Sequence, residues 1–106
     1  MSSLVVALLA DGPEAAGLAA GFEEEGVPLT IERAGEDGSP EALARIAAKR
    51  SPLGLGIGGD GERLALVLAA APGRPYLEAP VADARRFGQA AARVAARRPL
   101  RPGPTK

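Results

Sequence analysis

The sequence of 106 residues predicts an α/β domain, a sheet flanked by helices. Three observations carry that expectation. The apolar run Leu4–Leu9 and the alternating segment Val27–Glu32 are interspersed with stretches whose apolar residues recur every three or four positions. Proline follows a small polar residue or glycine where each of the first two helices should begin, at Pro13 and at Pro40. Gly59-Asp60-Gly61 then separates two further apolar runs in the manner of a hairpin turn.

Leu4–Leu9 is too short for a helix and contains Val5 and Val6, so it reads as a buried central strand. Asp11 or Gly12 caps a helix that starts at Pro13, where the missing N–H is harmless, and runs over residues 13–25. Its apolar stripe is Ala15, Leu18, Ala19 and Phe22. Gly26 turns the chain into an extended segment in which Val27, Leu29 and Ile31 share a face; Pro28 belongs at the start or edge of that strand, since it donates no ladder bond. After a polar loop, Ser39 caps a second helix with Pro40 in its first turn, and Leu43, Ile46 and Ala47 form its buried face. Pro52 disfavours helical geometry in Ser51 and ends it.

Gly54, Gly56 and Gly59 match the spacing of the dinucleotide-binding glycine fingerprint. That fingerprint requires a helix directly after it to receive the pyrophosphate, and here Glu62–Leu68 reads as a strand. The expectation is a glycine-rich strand and hairpin from Leu55 to Leu68, whose glycines let another backbone or a partner approach closely. Tyr76-Leu77-Glu78 is a short closing strand. The longest helix spans about residues 80–97, with Ala84, Phe87, Ala91 and Val94 buried, Arg86, Arg93 and Arg97 on one flank, and Arg85 with Gln89 on the outer face. Residues 1–99 form a single domain, and residues 100–106 a disordered tail.

With neither Cys nor His in the chain, thiol nucleophiles, disulfides, the commonest general base and most zinc or copper sites are excluded. No apolar run approaches the ~18 residues that cross a bilayer, and the start lacks the basic residues of a signal peptide, so a cytoplasmic protein without a membrane partner is expected. The formal charge is zero but polarised. Residues 1–41 hold nine acids against Arg33 alone, leaving four acids and twelve bases in the remainder. Such polarity suits a partner of matched charge, or an internal pairing of surfaces. Aromatic residues are too few for a base-stacking platform, so no nucleic acid is expected.

Glu23-Glu24-Glu25 closes the first helix, where the carbonyl end disfavours negative charge. Local helix stability does not explain the triplet. Helical spacing puts Glu23 and Glu25 on either side of the apolar stripe and Glu24 almost opposite it, facing away from its own domain. Neighbouring helical residues diverge, so the three do not form a metal cage within this chain. One outward carboxylate is what a hard cation takes when its other oxygen ligands lie on a partner; a solvated acidic tip is the plainer alternative.

The order of motifs resembles the small subunit of the reactivating factors for adenosylcobalamin-dependent diol and glycerol dehydratases, within the B12-dependent dehydratase-associated subunit family. The resemblance rests on GFEEEGVP at Gly21–Pro28, on SPLGLGIGGD at Ser51–Asp60 with the apolar strand after it, and on Arg85, Gly88, Ala91, Ala92 and Arg93 followed by Pro99. It departs from the pattern at Arg63, where the family carries His, and at Gln89 and Ala90, where it carries Asn. The resemblance implies a three-layer α/β/α fold with a mixed, mostly parallel sheet of four to five strands, similar to an anticodon-binding domain. It implies a non-catalytic subunit that binds no cofactor alone and partners a large subunit, an ATPase resembling the Hsp70 chaperones. Exchange of this subunit with one of the dehydratase would release damaged cobalamin. The middle glutamate, here Glu24, would reach a Mg2+ shared with the large subunit, and Glu23, Glu25, Arg85 and Arg93 would join Glu24 at the partner interface. The implied location is the cytoplasm, a bacterial microcompartment included.

Two other readings compete. The medium subunit of the dehydratase resembles the same family but carries an extra amino-terminal region, which this chain is expected to lack. A small flavodoxin-like nucleotide-binding protein would use the glycines of residues 54–59.

Overall fold

In the computed structural model, described for residues 5–10, 13–35, 38–71 and 73–97, five strands and three α-helices build three layers. The elements are β1 (Val5–Leu9), α1 (Pro13–Glu25), β2 (Leu29–Arg33), α2 (Pro40–Arg50), β3 (Leu55–Gly59), β4 (Arg63–Leu68), β5 (Leu77–Pro80) and α3 (Ala84–Arg97), the last preceded by a 3-10 turn at Val81–Asp83. The strand order is β2-β1-β3-β4-β5. β1 pairs in parallel with β2 and β3, while β4 runs antiparallel to both β3 and β5. Four strands therefore run one way and β4 the other, the mixed sheet expected from the sequence.

Alternation along the strands sorts the core into two faces. Val5, Ala7, Leu9, Leu55, Ile57, Leu64 and Leu66 meet Leu18 and Phe22 of α1 and Phe87, Ala91 and Ala92 of α3 in the main cluster. Val6 and Leu8 meet Leu43 and Ala47 of α2, and Ala65 and Val67 meet Ala44. Small residues on this second face bring α2 down onto β3. A Cβ on Gly56 would lie 2.1 Å from the Ala48 nitrogen, and one on Gly58 2.1 Å from the Pro40 oxygen. Of the glycines that imitate a nucleotide fingerprint, Gly56 is covered by α2, Gly59 faces the side chains of Leu9, Glu14 and Leu64, and Gly54 faces Ala69, so the same chain occupies the space at each.

Local chemistry fixes the boundaries. Ser39 Oγ accepts the N–H of Ala42 at 3.1 Å with Pro40 in the first turn of α2, the expected cap. In the hairpin, Asp60 Oδ1 accepts the N–H groups of Glu62 and Arg63, both at 2.8 Å, and Gly61 takes φ of 93°. Pro28 directly precedes the edge strand β2.

Three expectations need correction. Ile46 is 36% exposed, and Ala44 and Ala48 are buried in its place, because the glycines of β3 draw the small side of α2 inward. Pro80 ends β5 rather than opening the last helix; pairing with Arg63 holds it extended, and α3 begins at Ala84. Ala19 is exposed, because α3 packs along another side of α1. The start of the first strand at Leu4, the caps Asp11 and Gly12, the stop at Pro99 and the tail at 100–106 lie outside the described residues.

Candidate functional site

The acidic triplet closes α1 in a specific turn. Val27 N–H donates to the Phe22 oxygen and Gly26 N–H to the Glu23 oxygen, both at 3.1 Å, with Gly26 in the left-handed region at φ of 73°. This is the Schellman ending, and the hydrophobic pair it favours is present in buried Phe22 and Val27. Phe22, Gly26 and Val27 are thus explained by the turn, which fixes where Glu23, Glu24 and Glu25 emerge.

Packing against α3 determines what those acids meet. Gly17 of α1 faces Ala84, Gly21 faces Arg85 and Gly88, and Glu25 faces Arg93, so the two helices run side by side in the same direction. A Cβ on Gly21 would come within 2.3 Å of the Arg85 oxygen, and one on Gly88 within 2.7 Å of the Leu18 oxygen. At helical spacing, Gly17, Gly21 and Glu24 lie on one flank of α1. Apolar periodicity gives no weight to glycine, so this flank carries no signal in the sequence.

Glu24 consequently reaches toward its own domain. Arg85 Nε donates to Glu24 Oε2 at 2.7 Å and the Gln89 amide donates to Oε1, while Arg93 pairs with Glu25 at 3.1 Å. Arg85, Gln89 and Arg93 form the row that faces the end of α1, correcting the expectation of a flank formed by Arg86, Arg93 and Arg97 with Arg85 and Gln89 outermost. The hydrogen bond from Arg85, then that from Gln89, holds the Glu24 carboxyl below the usual range, so it is ionised at neutral pH. Its side chain is 38% exposed and that of Arg85 64%, so the pair sits at the surface. Glu23 is exposed at the rim of an open groove lined by Ala19, Phe22, Val27, Leu29 and Ile31.

Internal pairing also takes up much of the charge polarity. Glu32 pairs with Arg50 at 2.6 Å, and Arg63 bridges Glu41 at 3.1 Å and Glu78 at 3.0 Å. The acidic and basic portions of the chain thus neutralise one another at several surface points.

Sequence reasoning missed Glu14. It lies in the first turn of α1, is 3% exposed, and neither carboxylate oxygen has a hydrogen-bond partner among the described residues. The helix amino end favours negative charge there, but the apolar spacing of α1 gives no sign that this position is enclosed.

Among the described residues, no group of three or more acids is placed to hold a metal ion, and no helix is long and apolar enough to cross a membrane. As a single donor, Glu24 has the chemistry a hard cation takes, an ionised carboxylate at the surface. Arg85 is the feature that opposes one, as its positive charge occupies the same carboxylate.

Fold and site together define a small three-layer α/β domain whose distinctive surface is a charged seam between two parallel helices. The family model for the dehydratase medium subunit matches residues 9–101, and the chain belongs to that family. Among solved structures, it is similar to a chain of a diol dehydratase-reactivating factor complexed with ADP and Mg2+, at 24% identity and a TM-score of 0.78, with 95% of this chain and 98% of that one covered. It is likewise similar to a chain of glycerol dehydratase reactivase, at 27% identity and a TM-score of 0.77, covering 95% of this chain and 97% of that one. No curated protein sequence matches significantly.

Proposed function

We propose that this chain is the small subunit of a reactivating factor for an adenosylcobalamin-dependent diol or glycerol dehydratase. The observation that carries the reading is the end-to-end likeness to the glycerol dehydratase reactivase chain, which is covered over 97% of its own length. In this reading the chain is not an enzyme; it docks on an Hsp70-like large subunit that hydrolyses ATP. It leaves that partner when a subunit of the dehydratase takes its place, and steric conflict then opens the cobalamin site.

The docking surface is the end of α1 with the adjoining row of α3: Glu23, Glu24, Glu25, Arg85 and Arg93. Glu24 supplies one carboxylate oxygen to a Mg2+ whose remaining ligands belong to the large subunit and water. The groove beside Glu23 offers apolar area next to that charge, the pairing of contacts usual in protein interfaces. The protein works in the cytoplasm, a microcompartment included.

A second reading, a medium-subunit component of the dehydratase itself, is favoured by the name of the matching family. Co-purification separates the two. The tagged chain is expected to retain a reactivase large subunit in the presence of Mg2+ and ADP, and to release it when dehydratase is added. Exclusive retention of the dehydratase catalytic subunit would establish the second reading instead.

A further inference from the structure

Glu24 is already engaged. Its Oε2 accepts from Arg85 and its Oε1 from Gln89, side chains one turn apart on α3. Both belong to the same helix, and α3 is held against α1 by glycines at Gly21 and Gly88 that leave no room for adjustment. Both carboxylate oxygens are therefore occupied, Oε2 by the guanidinium and Oε1 by the amide, and a cation binding this carboxylate meets a positive charge already on it.

We infer that Arg85, steadied by Gln89, is an internal competitor of the partner for Glu24: docking through a divalent cation is opposed by the guanidinium and favours the form in which it has swung away. The inference rests on the reactivase reading. A guanidinium and a metal ion at the same carboxylate repel each other, and whichever is bound weakens the other. Arg85 is exposed enough to leave without disturbing the core. Closed and open forms of the seam then exchange, and the apparent affinity for the partner is reduced by the fraction that is open. Exposed ion pairs shift such an equilibrium by small factors, which suits a subunit that must come off again.

The test is the affinity of the full chain for its reactivase large subunit loaded with ADP, measured by calorimetry with and without Mg2+. Arg85→Gln is expected to tighten Mg2+-dependent binding about two- to fivefold, the factor an exposed pair commands. Gln89→Ala should tighten it less, and Glu24→Gln should weaken it. In the Glu24→Gln background the Arg85 effect should vanish, because the group competed for is gone. Raising the salt concentration should shrink the Arg85 effect. If Glu24→Gln weakens binding while Arg85→Gln leaves it unchanged or weakens it too, competition is wrong and the reactivase reading stands. If Glu24→Gln has no effect, the metal-linked reading fails and competition fails with it. Unchanged thermal melting of each variant shows that the comparison concerns the seam.

Discussion

The two faces of the sheet both bring backbones together through glycine, with different results. Under α2, Gly56 and Gly58 let the helix rest on β3, and the contact is sealed by Ala44, Ala47 and Ala48. Between α1 and α3, Gly17, Gly21 and Gly88 allow a similar approach, but the contact runs out to the surface at Glu24, Glu25, Arg85 and Arg93. On the first face the close contact ends inside the domain. On the second it sets the position of side chains that a partner can reach.

A methyl group added on each side separates the two contacts. Gly56→Ala or Gly58→Ala pushes a Cβ into α2 backbone with no flexible side chain to yield. Overpacking of this kind costs about 3 kcal/mol or more, and urea denaturation should show a large fall in the unfolding midpoint or no folded protein. Gly21→Ala puts its Cβ 2.3 Å from the Arg85 oxygen, so α3 must shift outward. A cost of about 1–3 kcal/mol is expected. The Arg85 Nε–H resonance should also lose its hydrogen-bonded shift, whereas a surviving Gly56→Ala variant should keep it. An intact Arg85 signal in Gly21→Ala would mean that the glycine contact does not position the seam.

How far the sequence could be read follows the same division. Strands, helices and the hairpin were legible because capping residues, proline and alternation are local signals, as at Ser39, Pro40 and Asp60. The position of Glu24 on its helix was legible too, since it depends only on spacing. Its neighbours were not, because which flank of α1 meets α3 is decided by Gly17 and Gly21, residues that carry no hydrophobic signal. Periodicity therefore pointed Glu24 toward solvent when the packing turned it to Arg85. Ile46 was misplaced for a related reason: it is the larger apolar residue, but Gly56 and Gly58 select Ala44 and Ala48 for the interface.

Two single positions contrast an enclosed polar side chain with one at the surface. Glu14 is enclosed without a hydrogen-bond partner among the described residues, so Glu14→Met removes a buried, unsatisfied polar group at similar volume. Leaving a buried polar group unsatisfied costs about 1–3 kcal/mol, so a gain of about 1 kcal/mol in thermal unfolding is expected. A loss of stability would show that Glu14 makes a needed contact. At the surface, Asp60→Ala removes an acceptor for two backbone N–H groups in the hairpin, with a cost of about 1 kcal/mol expected by the same measurement.

The smallest effect expected separates two surface carboxylates whose pKa values are both lowered. Glu41 sits in the first turn of α2, and the largest cause of its shift is a hydrogen bond from its own backbone, with Arg63 contributing less. Glu24 sits at the opposite kind of helix end, and the largest cause is Arg85. A carboxyl depressed in the folded state adds stability above its unfolded pKa, near the ordinary glutamate value of 4.5, and that stability is lost as pH falls through the folded value. Both groups should therefore weaken the fold only in acid below about pH 4.5. Their dependence on arginine differs. Carboxyl carbon titrations should find Glu41 still depressed in Arg63→Gln, because the helix amino end remains. Glu24 should move back up toward the ordinary range in Arg85→Gln, because its helix end supplies only carbonyl oxygens. A Glu24 that stays depressed without Arg85 would mean that Gln89 alone holds the carboxylate, and would transfer control of the seam from the charge to the amide.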